Sequence, residues 1–377
     1  MFESPPFWMY LVGFLLVLGP LITLHELGHY LVGRWFGVEA EAFSIGFGKE
    51  IWGRTDKRGT RWRISALPLG GYVQFKGDMN PASVPDPDAP KEAGSFQEAA
   101  LWKRALIVAA GPIANLLITI AIFASIFSIY GKLTIVGAED SRTAGEFSET
   151  SVAAAAGMQL GDTIIAIDGD PVEDFEDIRS RVMIYPEKEM VITVDREGEI
   201  VDIPLVTERV EVTDAFGNTS VIGRLGVGPS GGEYVLEEVS VLESVPLAVT
   251  HSWDVLGMML TGLKQIILGE RSIKELGGPI KIAKYSGEQL SMGLISFLSF
   301  TALISLNLAF INFLPIPALD GGHLAFYAAE AVRGNPVGPV ATEWAYRTGI
   351  LVVLVFMVVV TVNDVASLSF FGRLFGS

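Results

Sequence analysis

His25-Glu26-Leu27-Gly28-His29 is the stretch of this chain whose residue types and spacing state a chemistry. Histidines four residues apart lie on one face of a helix, about one turn from each other, where both rings can reach a single zinc ion. The glutamate between them can take a proton from water on that ion. With 4 His in 377 residues, the pattern HExxH arises by chance in roughly one such chain in several hundred. The bland reading, two polar residues satisfying each other inside a bundle, is disfavoured because ionisable groups in an apolar setting are costly and functional by default.

A catalytic zinc keeps three protein ligands and an open position, so a third ligand has to come from elsewhere in the chain. The chain has no cysteine, which leaves His, Asp and Glu and removes disulfides, thiolate sites and cysteine nucleophiles. Asp320 is the leading candidate. It follows Asn312-Phe313-Leu314-Pro315-Ile316-Pro317-Ala318-Leu319 and precedes Gly321-Gly322, where prolines break a helix and paired glycines permit close backbone approach. His323 is a rival ligand, and His251 reads as interfacial. Oxyanion or substrate contacts call for a further donor, and Asn307 and Asn312 are the polar candidates, with interhelical hydrogen bonding as their alternative role. Asn115, in Gly111-Pro112-Ile113-Ala114-Asn115, reads as packing rather than catalysis.

These residues sit in or beside long uncharged runs. Residues 4–24, 105–130 and 289–319 are each long enough to cross about 30 Å of hydrocarbon, and a shorter run covers 348–363. Four spans are therefore expected. The composition agrees, with 50% hydrophobic and 19% charged residues and a mean hydropathy of +0.43, which argues against an ordinary soluble globule. The first ten residues contain Glu3 and no Lys or Arg, unlike the positive start of a signal peptide, so the first span is expected to stay in the mature protein. Residues 33–104 hold 11 Lys+Arg and 9 Asp+Glu, whereas residues 131–245 hold 8 and 24. Positive-inside logic puts the former in the cytoplasm and the latter, which alone carries a net charge equal to the chain's −16, outside it. An acidic chain without a basic run is a poor partner for nucleic acid. In this topology spans one and three both run inward, so His29 and Asp320 share a depth.

Between the first two spans, alternation over 61–66 after the turn-like 55–59 reads as a hairpin, with bends at Gly46, Gly48, Gly70 and Gly71, and 80–95 reads as a surface loop. Residues 132–229 alternate short β-like runs, such as 163–167 and 190–194, with turn residues, at the length of one small domain. From 246 to 268 apolar residues recur at helical spacing, interrupted by His251, Asp254 and Lys264, as in an interfacial helix.

Together HELGH at 25–29, GPIAN at 111–115, NFLPIPALDGGH at 312–323 and the insert between spans two and three resemble the site-2 protease family, of the bacterial regulator-of-sigma-E-protease type. The insert is similar to a PDZ domain in SVAAAAG at 151–157, GDTIIAIDGDPV at 161–172 and GRLGV at 223–227. The resemblance implies a polytopic α-helical membrane protein with four transmembrane helices, a membrane-associated β-hairpin or sheet, and an inserted extracytoplasmic PDZ-like α/β domain. It implies His25, His29 and Asp320 as ligands of one catalytic Zn2+, Glu26 as catalytic base, and Asn312 as a substrate contact. The expected organisation is span one with HExxH at 1–36, the β region at 37–79, a cytoplasmic loop at 80–104, span two at 105–130, and the PDZ-like domain at 131–230. A linker and amphipathic helix follow at 231–288, then span three with the LDG motif at 289–323, and span four with the tail at 324–377.

The implied activity is intramembrane hydrolysis of single-span membrane proteins, such as anti-sigma factors and signal-peptide remnants. It would act from the bacterial cytoplasmic (inner) membrane, with the active site near the cytoplasmic side. Implied partners are those substrates, the lipid bilayer, and a peptide or protein ligand of the PDZ-like domain, which fits a size filter equally well. The rival reading is a non-proteolytic membrane scaffold with a structural zinc; a second is a protease of soluble peptides.

Overall fold

The computed structural model describes residues 5–77, 92–136, 140–216, 218–231, 233–273 and 276–367; of the loop expected at 80–95, residues 80–91 lie outside them. In chain order the helices are α1 (Phe7–Trp35), α2 (Leu101–Tyr130), α3 (Val152–Ala155), α4 (Phe175–Met183), α5 (Val241–Leu268), α6 (Pro279–Ser291), α7 (Leu294–Phe313), α8 (Asp320–Arg333) and α9 (Pro339–Ser367). The strands are β1 (Ala40–Thr55), β2 (Arg61–Phe75), β3 (Lys132–Val136), β4 (Ala144–Phe147), β5 (Thr163–Ile167), β6 (Asp170–Pro171), β7 (Glu189–Arg196), β8 (Glu199–Val206), β9 (Glu208–Thr213), β10 (Thr219–Arg224), β11 (Val227–Pro229) and β12 (Glu233–Glu237). Chain contacts gather into two compact units, one built around Phe127–Ser244 and Gly257–Glu275, the other around Pro5–Ile126, Val245–Leu256 and Leu276–Ser377.

Among the described residues four helices are long and apolar enough to cross a membrane, α1, α2, α7 and residues Val340–Ala366 of α9. The chain is a polytopic membrane protein. Large apolar side chains face outward along these helices, Leu11, Leu16, Leu117, Leu351 and Val358 among them, a surface suited to lipid rather than water.

The uncharged run at 289–319 is not one helix. Gly293, at φ +107°, separates α6 from α7, and α7 stops at Phe313 because Pro315 and Pro317 cannot continue it. Asp320 therefore opens a helix of its own instead of trailing span three. Helix α9 is longer than its uncharged run, 29 residues against the 16 of 348–363, because its polar ends are accommodated. Glu343 pairs with Arg347 one turn on, and Asp364 is buried against backbone N–H groups of the α6 start.

Between α1 and α2 the two long strands bend at Gly46, Gly48 and Gly70, all at positive φ, so that each supplies two paired segments. Residues 42–45 lie between 61–64 on one edge and 71–74 on the other. Phe43, Trp62 and Val73 turn one face toward Tyr30 and Ile107 of the helices, and Ile45, Trp52 and Ile64 continue that face outward, exposed. Cross-strand neighbours Ser44, Arg63 and Tyr72 make the other face polar. The segment 71–75 forms a sheet edge, and its Val73 N–H meets Glu26 of α1.

In the other unit, β6, β5, β7 and β8 form an antiparallel sheet in that order, packed on α3 and α4 through Ile164, Ile167, Ile178, Val182, Ile192 and Val194. Ser151 and Asp174 cap the two helices by accepting backbone N–H groups. Asp162 is buried, with its carboxylate bound by Arg196 at 2.7 and 2.8 Å and by the Gln159 N–H. The Arg196 guanidinium holds this carboxyl below the usual carboxylate range. A lowered acid pKa contributes stability that is present at neutral pH and is lost as pH falls below about 4. Asp162→Asn should accordingly destabilise this unit by about 2 kcal/mol at pH 7 and flatten its acid dependence. Hydrogen exchange of β5 and β7 amides in the full chain, compared at pH 7 and pH 4, checks both effects.

Candidate metal centre

His25 and His29 lie on one face of α1, each 8% exposed, and α2 crosses that face closely. The crossing depends on missing side chains. A Cβ on Gly28 would fall 2.5 Å from the Ala110 carbonyl, and one on Gly111 would fall 2.2 Å from His29 Nε2 and 2.7 Å from His25 Nε2. Residues 107, 111 and 115, one turn apart on α2, thus face the imidazoles. His29 Nδ1 donates to the Ile107 carbonyl at 2.8 Å, which fixes the tautomer and leaves the Nε2 lone pair pointing away. Behind them Ser305 Oγ of α7 donates to the Asn115 carbonyl at 2.8 Å, and Thr119 Oγ1 donates to that of Ala302 at 3.2 Å, tying α2 to α7.

Asp320 arrives from the other side. The turn before it is tight: Ala318 holds φ +82°, which costs a non-glycine residue about 1 kcal/mol. Gly321 and Gly322 press on the backbone of 313–317, where any Cβ would meet a carbonyl within 2.4 Å. Arg104 of α2 pairs with Glu330 at 3.1 Å and steadies the rest of α8. So placed, Asp320 Oδ2 lies 3.1 Å from His25 Nε2 and 3.6 Å from His29 Nε2, while the two nitrogens are 3.2 Å apart. Asp320 Oδ2 is buried and receives no hydrogen bond. Glu26, between the histidines in sequence, points to the sheet edge, where its Oε2 accepts the Val73 N–H at 3.0 Å.

The other candidates have other neighbours. His323 Nδ1 is 2.6 Å from Tyr346 Oη, and His251 packs edge-on against Phe123. Asn312 Nδ2 donates to the Leu308 carbonyl at 3.0 Å, and Asn307, half-buried on α7, has no hydrogen-bond partner among the described residues.

The family model for peptidase family M50 matches residues 13–356. The chain belongs to peptidase family M50, the site-2 proteases. It is 44% identical over 360 residues to a Rhizobium meliloti protein that carries the name of a zinc metalloprotease, covering 93% of this chain and 95% of that one. It is 43% identical over 367 residues to a similarly named protein of Agrobacterium fabrum, covering 95% and 96%. Metalloprotease MmpA of Caulobacter vibrioides is 34% identical over 387 residues, covering 95% and 96%. This M50 chain is a zinc metallopeptidase by family.

The three facing atoms fit a zinc ion. Ligands about 2.0–2.1 Å from a tetrahedral ion are about 3.3 Å from one another, and the observed edges are 3.1, 3.2 and 3.6 Å. Two imidazoles and one carboxylate are also a known catalytic donor set that leaves the fourth position open. When bound, the ion supplies Lewis acidity toward water and a carbonyl oxygen.

Sequence reasoning missed Asn115 as a functional neighbour. Its side-chain amide is fully buried and lies 3.2 Å from His25 Nδ1. The atom beside His25 Nδ1 is Asn115 Nδ2, while Asn115 Oδ1 is buried without a partner; His25 offers Nε2 to a metal only with Nδ1 protonated, and exchanging the two ends of the amide lets Oδ1 accept that N–H. Gly111 and Asn115, i and i+4 on one helix face, were the available signal. The near-isosteric Asn115→Leu should lower zinc affinity by about 10- to 100-fold, measured by chelator competition on the purified protein. Gly111→Ala, which puts a methyl into the imidazoles, should abolish binding.

Proposed function

We propose that this M50 chain hydrolyses peptide bonds in or next to the transmembrane segments of single-span membrane proteins, with His25, His29 and Asp320 as zinc ligands and Glu26 as general base. The observation that carries the reading is a His-His-Asp group buried among candidate spans, with the Glu26 carboxylate at its side and a sheet edge within reach of that carboxylate. Glu26 accepts a proton from the attacking water and returns it to the leaving amine nitrogen. A peptide bond inside a helix is shielded, so the substrate has to be extended at the site; strand addition along 71–75 would do that, with its N–H and C=O groups paired while the bond is exposed. Asn312, and beyond it Asn307, are the polar side chains of α7 proposed to contact the substrate.

In this reading the 131–230 insert is a PDZ-like domain on the extracytoplasmic side of a bacterial cytoplasmic membrane, the active site lies near the cytoplasmic side, and the insert filters substrates by size or binds a peptide. Substrates shortened by another protease, anti-sigma factors and signal-peptide remnants among them, suit that arrangement.

Cleavage of tagged single-span substrates by purified wild type and Glu26→Gln, with zinc determined on both, tests the reading. The expected result is equal zinc and a loss of at least about 10²-fold in cleavage rate. Equal inactivity of both proteins toward full-length and truncated substrates would instead favour the membrane scaffold.

A further inference from the structure

Span four is fully buried near its two ends. Tyr346 and Gly349 are buried near one end, Val360 and Asp364 near the other, and residues 351–359 between them are largely exposed. At the far end Asp364, 0% exposed, accepts the N–H groups of Gly278, Ile280 and Lys281 at 3.0–3.1 Å and so caps α6. That helix in turn packs tightly on α1, since a Cβ on Gly13 would fall 2.7 Å from the Ser286 carbonyl and one on Gly287 2.5 Å from the Tyr10 ring. At the near end one contact falls on the turn before Asp320 and the other on α8 just after it. Gly349 lies against Pro317, whose carbonyl a Cβ would meet at 2.2 Å, and Tyr346 Oη lies 2.6 Å from His323 Nδ1, one turn beyond Asp320 on α8.

Span four therefore holds α6 at one end and the segment from Pro317 to His323 at the other. A phenol 1% exposed, in contact with Phe326 and His323, is a large investment of packing on a helix that otherwise faces outward. Its hydroxyl has a directional role that packing alone does not call for. We propose that Tyr346 is a positioning residue for the metal centre: through His323 it sets the first turn of α8, and with it the direction of the Asp320 carboxylate. His323 is then a support for the third ligand and not a ligand. The proposal rests on the reading of His25, His29 and Asp320 as ligands.

Tyr346→Phe removes one oxygen and keeps the ring. The full-length protein, purified in detergent, is compared as wild type, Tyr346→Phe, His323→Gln, Val360→Ala and Asp320→Asn. Zinc affinity is measured by chelator competition, and the visible spectrum of the Co2+-substituted protein reports ligand geometry independently of activity. Tyr346→Phe is expected to lose zinc affinity on the order of tenfold, to shift the Co2+ spectrum, and to lower kcat with KM unchanged. His323→Gln, which keeps a partner for the hydroxyl, should retain more zinc affinity than Tyr346→Phe. Val360→Ala, which loosens the same helix away from the turn, should match wild type in affinity and spectrum. Wild-type affinity and spectrum in Tyr346→Phe, while Asp320→Asn loses zinc, would overturn the proposal and leave the ligand reading standing. Equal losses in Tyr346→Phe and Val360→Ala would also overturn it, since any loosening of span four would then suffice. Zinc retained equally by wild type and Asp320→Asn would sink the ligand reading, and this inference with it.

Discussion

Three side-chain atoms that can each offer a lone pair to a metal, His25 Nε2, His29 Nε2 and Asp320 Oδ2, face one another at 3.1–3.6 Å inside a bundle of apolar helices. Lone pairs held that close repel unless a cation lies among them, and the bundle offers little water to soften the repulsion. Much of the unit can be understood as what that arrangement requires. Each histidine's second nitrogen meets a group on α2, the Ile107 carbonyl and the Asn115 amide, so that ring orientation is set from outside the cluster. Seating these groups requires α1 and α2 to cross at backbone distance, which is why Gly28 and Gly111 stand where any side chain would collide.

Bringing a carboxylate into the same space is a harder problem, because Asp320 is almost three hundred residues from the histidines in sequence. The solution is a turn with little freedom. Two prolines end α7, Ala318 takes a left-handed conformation, and three glycines, Gly321, Gly322 and Gly349, let backbone touch backbone. Strain of this kind persists only where the surroundings over-determine it. Here the surroundings are α8, tied to α2 through Glu330 and Arg104, and α9, which meets the turn through Gly349 and α8 through Tyr346.

The bent sheet shares the logic of an amphipathic element placed at an apolar boundary. Its face of Phe43, Trp62 and Val73 is continuous with exposed Ile45, Trp52 and Ile64, and its opposite face carries Ser44, Arg63 and Tyr72. An edge strand is ordinarily a liability because its N–H and C=O groups lack partners. In this protein the edge at 71–75 is turned toward the helices, and one of its N–H groups is already taken by Glu26.

By itself the sequence determined the chemistry and the class. HExxH spacing is local, so a helix of any environment puts His25 and His29 on one face, and uncharged runs longer than about 20 residues imply spans whatever surrounds them. The break after Phe313 was likewise legible, since proline acts on its own backbone. What the sequence left open were relations between distant segments. The choice of Asp320 over His323 as the third member of the group, the contact of Asn115 with His25, and the separation of α6 from α7 within one uncharged run all depend on which helices cross and how closely. The full length of α9 was hidden for the same reason: Asp364 looks like the end of a span until its carboxylate is seen accepting three N–H groups from another helix. Hydropathy and periodicity register the cost of a polar residue, whereas the partner that offsets this cost is supplied only by the tertiary fold.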